Sequence, residues 1–234
     1  SVAHHRDNLM QIEAFFLGQA GLLDIAAIPE RYQQQALNDS YFTELKSEYQ
    51  YLAHKFGLQA MDANQWRFLR LRPQNFPHIR IAQLAHLYYE QRAGLSQLLE
   101  CESVKQVREL LATQVTHYWE THYVFGEKSA KSEKKLSAAS LNLQIINTVA
   151  PILFAYGKHK NSEKYCERAF DFLETLKAEE NHIVRMWKEV GLMVETAGDS
   201  QALIQLKKEY CDRKDCLRCR IGYEYLKGSS SLKG

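Results

Sequence analysis

Apolar side chains recur at every third or fourth position along most of this chain, the spacing that places them on one face of an α-helix. The clearest stripe runs from Tyr41 to Phe56, and Gly57 after it is a typical helix end. Farther along, Gly157 is predicted to end a helix that Pro151 kinks or restarts. Strand-like alternation never extends beyond a few positions. The pattern predicts an all-α fold, an irregular multi-helix array of packed helical hairpins.

A polar stretch interrupts the helical pattern. Residues 127–137 contain four lysines and three serines, a composition that predicts a solvated surface loop. We expect a single all-helical domain over residues 1–227, in which subregions 1–126 and 138–227 are joined by this loop. The glycine- and serine-rich end of the chain, residues 228–234, is expected to be a frayed tail.

The long irregular stretch in the first half is rich in arginine, aromatic residues and proline. We call it the arginine connector (residues 66–77). Each proline fixes its own φ and disfavours the helical conformation of the residue before it. Pro73 and Pro77 therefore predict that Arg72 and Phe76 are extended. The connector should be rigid, and a helix should begin at Pro77.

The arginines in and just after the connector form a candidate site for nucleic acid or another anion. They are Arg67, Arg70, Arg72 and Arg80. Guanidinium groups pair in a bidentate manner with phosphate. The aromatic residues among them, Trp66, Phe68 and Phe76, are suited to stacking on the bases of a flexible strand.

A second interpretation makes the same arginines internal. They would then form salt bridges with acids such as Glu13, Asp24 and Glu48 and lock the connector into the core. In that case Asn75 and Gln83 would be satisfied polar groups of the core. The sequence leaves both interpretations open.

The charge of the whole chain is nearly balanced, but its distribution is not. A net charge of +2 and a pI near 8.2 do not require a nucleic-acid partner. From Trp66 to Arg92, however, five arginines stand against one glutamate, a net charge of +4. Residues 207–227 carry seven Lys or Arg residues against four acidic ones, a net charge of +3. The two segments would form one surface only if the fold brought them together.

Three cysteines near the end of the chain form a candidate metal site. Cys211, Cys216 and Cys219 have the spacing C-x4-C-x2-C, and two thiolates separated by two residues can bind one tetrahedral zinc. Zinc, or an iron–sulfur cluster as the less favoured cofactor, needs a fourth ligand. The first candidate is His182, and the others are His159, Cys166 and Cys101. The alternative is that Cys216 and Cys219 are free thiols that face the core.

The sequence contains no recognisable catalytic set. Glu179, Glu180 and His182 could serve acid–base chemistry, but acidic residues at a helix start are explained more simply by the helix dipole. The chain has no phosphate-binding glycine loop, nucleophile elbow or zinc-protease motif. We therefore predict no catalytic residues in this chain taken alone.

The sequence also bears on where the protein resides. It contains no run of about 18 apolar residues, and its first residues lack the apolar core and cleavage site of a secretory signal. Its five cysteines, an odd number, suit a reducing compartment. We expect a cytoplasmic protein with no membrane partner.

Four segments of the chain resemble, in order, a bacterial family of unknown function, domain-of-unknown-function family 2851. They are HRDNLMQIEAFFLGQAGLL at 5–23, RLRPQNFPHIRIAQLA at 70–85, IINTVAPILFAYG at 145–157, and SQALIQLKKEYC with CLRCRIG within 200–222. The resemblance implies that longer members carry an N-terminal half similar to a PD-(D/E)XK nuclease, with G-P-D-F and E-I-H segments. This chain contains neither segment. By resemblance it corresponds to the helical C-terminal part, and any nuclease site would lie outside it.

The leading hypothesis is that the chain is the non-catalytic, accessory half of a nuclease-like protein. It would supply a basic surface for nucleic acid around the four arginines, so its partners would be nucleic acid and its own nuclease-like half. The alternative is a scaffold or protein-interaction domain with no nucleic-acid role, in which the arginines are internal salt-bridge struts.

Overall fold

The computed structural model describes the backbone of residues 8–230 and the side chains of residues 8–227. The helices are α1 (Leu9–Gln19), α2 (Glu30–Leu37), α3 (Ser40–Phe56), α4 (Pro77–Tyr89), α5 (Leu95–Glu100), α6 (Val104–Leu111), α7 (His117–Glu120), α8 (Ala138–Gln144), α9 (Ala150–Lys160), α10 (Glu163–Thr175), α11 (His182–Glu189), α12 (Ala197–Leu206) and α13 (Arg220–Ser230). The strands are β1 (His122–Val124) and β2 (Glu127–Lys128). The predicted all-α class is confirmed. The predicted tail, 228–234, lies outside the described side chains.

The described residues form two compact units. The first comprises residues 8–101 and 105–141, and the second comprises residues 102–104 and 142–230. Each unit buries its own apolar residues. The polar stretch 127–137, which the sequence places between two subregions, belongs to the first unit.

Helices α1, α3 and α4 form the centre of the first unit, because α1 packs against both of the others. Helix α3 begins after Asp39, whose side chain accepts a hydrogen bond from the backbone N–H of Tyr41 at 2.9 Å. It ends at Gly57, which has a left-handed conformation with a φ of 62°, as the sequence predicts. The residues that the three helices bury together include Ala14, Leu17, Phe42, Leu45, Ile79 and Ala82.

A glycine permits the close approach of α1 and α3. A Cβ atom at Gly18 would lie 2.1 Å from the ring of Tyr49, closer than any van der Waals contact. The Tyr49 hydroxyl accepts a hydrogen bond from Gln19 Nε2 at 3.0 Å, which fixes the ring in this place. The two helices therefore approach each other across a position that has no side chain.

A short β-hairpin follows α7 and completes the first unit. Strand β1 pairs antiparallel with β2, and Gly126 between them has a φ of 76°. A Cβ at Gly126 would lie 2.6 Å from the carbonyl oxygen of Tyr32, so glycine is needed for conformation and for space. Trp119 and Phe125, on either side of β1, are fully buried with ring centroids 5.0 Å apart.

The polar stretch 127–137 is anchored by one buried lysine. Lys134 is only 3% exposed, and its ammonium donates to the carbonyl oxygens of Trp119 and, at 2.9 Å, Glu120. It also lies 4.1 Å from the centre of the Tyr123 ring, a cation–π contact. The carbonyl of Lys134 accepts a hydrogen bond from Gln83 Nε2 at 2.6 Å. The stretch is polar in composition, yet these contacts fasten it to α4 and α7.

The second unit is built around α9 and α10, which pack side by side. The predicted helix end at Gly157 is wrong, because α9 continues to Lys160 and stops at Asn161, whose φ is 51°. A Cβ at Gly157 would lie 2.7 Å from the Cys166 sulfur. The glycine therefore serves the packing of the two helices rather than the end of one. Pro151 lies in the first turn of α9, directly after a π-helical turn, Ile145–Val149.

Helix α8, the π-helical turn and α9 run without a break from Ala138 to Lys160. Within the described part of the chain this is the one helix that is long and apolar enough to cross a membrane, and 33% of its most apolar window is buried inside the protein. The core helix of a soluble protein passes the same test of length and composition. The expected cytoplasmic location without a membrane partner stays a prediction.

We expect Gly18→Ala to lower the free energy of unfolding by about 1–3 kcal/mol, because the new methyl group forces the Tyr49 ring or the helices apart. Urea denaturation followed by circular dichroism measures the change.

The double variant Gly18→Ala/Tyr49→Leu is the control, since a smaller side chain leaves room for the methyl group. Its cost should be less than the sum of the two single costs. If the two losses of unfolding free energy are strictly additive, the Tyr49 ring is not the group that clashes with the new methyl group.

Candidate functional site

The arginine connector is fixed at both ends. At its start the indole N–H of Trp66 donates to the carbonyl oxygen of Ala20 at 2.7 Å. At its end Pro77 begins α4. Arg72 and Phe76 are both extended, with φ and ψ of −67° and 142° and of −61° and 146°, which confirms the prediction made from the prolines.

The four predicted arginines lie in two different environments. Arg67, Arg70 and Arg72 are exposed on the connector. Arg80, in the first turns of α4, is half-buried and donates to Asn75 Oδ1 at 2.5 Å and to Gln83 Oε1 at 3.0 Å. Burial lowers the pKa of its guanidinium. Arg80 thus braces the end of the connector, while the other three arginines extend into solvent.

The three salt bridges that would make the arginines internal are absent. None of the four arginines has a carboxylate oxygen within 4.0 Å among the described residues. Glu13 instead accepts hydrogen bonds from Tyr41 and Thr116, and Asp24 caps the 3-10 helix that follows it. Glu48 has a buried oxygen without a partner. The connector is held by its prolines, by Trp66 and by neutral acceptors.

A pocket of about 440 Å³ lies beside the connector in the first unit. We call it the aromatic pocket. Three segments line it: residues 27–32, the connector with the start of α4, and residues 123–129. The connector contributes Phe68 and Phe76, whose rings meet edge to face with centroids 5.3 Å apart. The side chains between the predicted arginines therefore form one wall of a pocket.

The rim of the aromatic pocket carries charged and polar groups from the other two segments. Tyr32 donates a short hydrogen bond to Glu127, and this bond raises the pKa of the tyrosine. The Arg31 guanidinium lies 4.6 Å from the centre of the Tyr32 ring. Arg31 and Lys128 are exposed, and neither has a carboxylate within 4.0 Å in the described portion of the chain. The rim therefore carries two cations without a carboxylate partner among the described residues, of which Arg31 is held against Tyr32.

One buried polar side chain lines the aromatic pocket. His78 is 3% exposed and lies among the rings of Phe68, Trp119 and Phe125, at centroid distances of 5.7, 5.8 and 5.4 Å. Burial lowers the pKa of its imidazole to about 3, so the ring is neutral. Its Nδ1 has no hydrogen-bond partner. A neutral histidine therefore lines the pocket, and its unpartnered Nδ1 is enclosed by the protein.

The residues of the pocket outside the connector were not identified from the sequence. Arg31, Tyr32, Tyr123 and Lys128 are far from the connector along the chain, and none belongs to a motif. His78 directly follows Pro77, but a single histidine in an apolar helix is an ordinary core residue by pattern. The aromatic pocket exists only because the hairpin folds back onto α2 and the connector.

A buried carboxylate lies deeper in the same unit. Glu13 of α1 is 1% exposed and accepts hydrogen bonds from the hydroxyls of Tyr41 and, at 3.2 Å, Thr116. Burial raises the pKa of Glu13 to about 7, and the hydrogen bonds oppose that rise. The ring of Tyr41 stacks on Tyr118, whose hydroxyl donates to Asp39 at 2.7 Å. Glu13 joins α1 to α3 and α7 through this polar cluster.

The predicted metal ligands are not gathered into one group in the described part of the chain. Cys211 and Cys216 are exposed, Cys219 is buried, and His182 is exposed at the start of α11. Over the described residues no three His, Cys, Asp or Glu side chains lie close enough together to hold a metal ion. The zinc or iron–sulfur site therefore has no assembled ligand set and stays a prediction.

The second basic segment, 207–227, differs from the connector because several of its basic side chains form ion pairs with nearby acids. Lys207 pairs with Asp212, Arg213 with Glu209 at 2.7 Å, and Arg218 with Asp215 at 3.4 Å. These pairs engage three of the seven basic residues of the segment, and its net charge of +3 already includes their acidic partners. The connector has no such internal acids.

A comparison with sequence families identifies the chain. The family model described as "Protein of unknown function (DUF2851)" matches residues 1–182, more than three quarters of the 234 residues. The chain belongs to this family. The matched region includes the arginine connector and the aromatic pocket, whereas the three clustered cysteines lie beyond it. Comparisons with curated proteins and with solved structures gave no match.

We expect the stability of the protein to fall by up to about 3 kcal/mol between pH 4.5 and pH 7 on account of Glu13. Its pKa is about 7 in the folded state against an ordinary value of 4.5, so the folded state binds the proton more tightly. The contribution is fully present below pH 4.5 and is lost as the pH rises through 7. Urea denaturation at a series of pH values measures it.

Glu13→Gln removes this titration and keeps an oxygen that can accept the two hydroxyl hydrogen bonds. The difference in unfolding free energy between the wild type and Glu13→Gln should therefore shift in favour of the variant as the pH rises from 4.5 to 7. A difference that does not change with pH would contradict the raised pKa. His78 titrates in the opposite sense, but it is present in both proteins and cancels in the difference.

Proposed function

We propose that this domain binds nucleic acid through the arginine connector, with the phosphates held by Arg67, Arg70 and Arg72. The observation that carries the proposal is that these three guanidinium groups are exposed on a segment braced by two prolines, with no carboxylate within 4.0 Å of them in the described residues. Unpaired, ordered arginines can bind phosphate without first breaking a salt bridge.

The surroundings of the connector support the same proposal. Arg31 and Lys128 add two cations without a described carboxylate partner on the neighbouring segments of the aromatic pocket, and Arg31 is held against the Tyr32 ring. Phe68 and Phe76 alternate with the arginines along the chain and supply aromatic surface beside them. Cations interleaved with aromatic rings are typical of proteins that bind single strands.

The proposal extends to the role of the domain in a longer protein. By resemblance, larger relatives carry a nuclease-like half, and this chain lacks the segments that mark it. A helical domain with a phosphate-binding connector and no catalytic set suits an accessory role, in which it holds nucleic acid for a separate active site. The nuclease-like half would then be its second partner.

The triple variant Arg67→Gln/Arg70→Gln/Arg72→Gln tests the proposal. Wild-type protein should bind a labelled single-stranded oligonucleotide, with log Kd rising linearly with log salt concentration. The variant should bind more weakly, and the slope should fall by roughly 2, because each lost phosphate contact to a single strand removes about 0.7. Fluorescence anisotropy over a series of salt concentrations measures both quantities.

The matched control removes three exposed cations elsewhere, Lys55→Gln/Lys105→Gln/Lys160→Gln. It has the same net charge as the arginine variant and should retain both the affinity and the slope. An equal loss in the two variants would show that only net charge matters. Wild-type protein that shows no salt-dependent binding would overturn the proposal and favour a scaffold or protein-interaction domain.

A further inference from the structure

We propose that the aromatic pocket takes one unpaired nucleobase of a nucleic-acid strand whose phosphates lie on the arginine connector. This inference rests on the proposed function and names its ligand more narrowly: a strand with at least one unstacked base. A pocket of about 440 Å³ is within the size range of small-ligand sites and has room for a base with its sugar.

The walls of the pocket suit a flat aromatic ligand. Tyr32, Phe68, Phe76 and Tyr123 line it, and each is half-buried. Arg31 lies over one face of Tyr32 and Lys134 over one face of Tyr123, which leaves the opposite face of each ring for a ligand. The four rings come from three separate segments, so they enclose the pocket instead of forming one flat patch. Stacking on such rings is available to any base because every base has a π face.

The pocket also offers a polar group to the edge of a base. Glu127 at its rim supplies a carboxylate acceptor, which is held in place by the Tyr32 hydroxyl. A base edge presents hydrogen-bond donors that such an acceptor can bind. His78 lines the pocket as a neutral ring, while its unpartnered Nδ1 is enclosed by the protein.

The cations around the pocket favour a nucleic-acid strand over a free nucleotide as the ligand. Arg31 and Lys128 line the pocket, and Arg67 and Arg72 directly adjoin the lining residues Phe68 and Pro73 in sequence. A nucleoside monophosphate carries a single phosphate group, whereas a strand supplies a separate phosphate for each of several cations. A strand that runs along the connector can place a phosphate before and after the base that enters the pocket.

The test compares two labelled DNA duplexes that differ in one group. The first carries a single unpaired adenine as a bulge, and the second carries an abasic residue in the same bulge. The two have the same charge and the same number of phosphates. Wild-type protein should bind the adenine bulge about tenfold more tightly than the abasic bulge, since stacking of one base is lost in the second.

Ala27 lines the pocket, so the variant Ala27→Phe fills it with a bulky ring while every arginine is left unchanged. This variant should bind both duplexes equally, with the affinity of the wild type for the abasic bulge and an unchanged salt slope. Phe76→Leu keeps an apolar side chain but removes a stacking face, and its preference for the adenine bulge should be intermediate.

Tyr51→Leu, at an exposed aromatic residue outside the pocket, is the control and should behave as wild type. Urea denaturation establishes that each variant is folded.

The outcomes separate the two proposals. Equal affinity of the wild type for the two bulges, with salt-dependent binding intact, would overturn the base pocket and leave the proposed function standing. Wild-type protein that shows no salt-dependent binding to either duplex would overturn both proposals. Displacement of the bulged duplex by equimolar adenosine monophosphate would overturn the strand assignment, because the pocket would then serve free nucleotides.

Discussion

Burial of Trp119 and Phe125 is the constraint on which the surface of the first unit depends. Helix α7 has four residues and the strands of the hairpin have three and two, so none of these elements is stable alone. They are held because their aromatic side chains pack into the core, where Phe125 meets Phe42 of α3 at 4.9 Å between ring centroids. The positions of Tyr123, Glu127 and Lys128 follow from that packing.

The opposite wall of the aromatic pocket has a different physical origin. There the backbone is fixed locally, by two prolines and by the hydrogen bond of Trp66 to Ala20. Arg80 completes the brace through Asn75 and Gln83, and Gln83 in turn bonds to the carbonyl of buried Lys134. A chain of hydrogen bonds without a carboxylate thus runs from the connector to the stretch after the hairpin. The connector needs no carboxylate to hold it, so its exposed arginines keep their charge unpaired.

The sequence predicts what depends on neighbours in the chain. The helical stripe of α3, its end at Gly57 and the extended Arg72 and Phe76 are all local effects, and all agree with the structure. The hairpin could not be predicted, because two or three residues cannot display a strand period and tertiary packing determines their conformation. The helix end predicted at Gly157 was wrong, because the sequence does not distinguish a glycine that ends a helix from one that leaves space for a neighbouring helix.

The candidate site was only half predictable for the same reason. The arginines and the aromatic residues of the connector are visible as a local composition, but the pocket that they border requires segments about 40 and 50 residues away to meet them. Charge counts are incomplete for a related reason. The sequence gives segment 207–227 a net charge of +3, but only the structure shows that Arg213 pairs with Glu209, four residues earlier, while the arginines of the connector have no acidic partner among the described residues.

Arg70 carries a consequence for the evolution of the protein. Its φ of 67° is a left-handed conformation that costs an ordinary L-residue roughly 1–2 kcal/mol. Asparagine tolerates this conformation far better and is several-fold enriched there. Laboratory selection for heat resistance alone should therefore move this position from arginine to asparagine. Stability and positive charge therefore compete at a single residue, because the side chain that suits this backbone conformation better carries no charge.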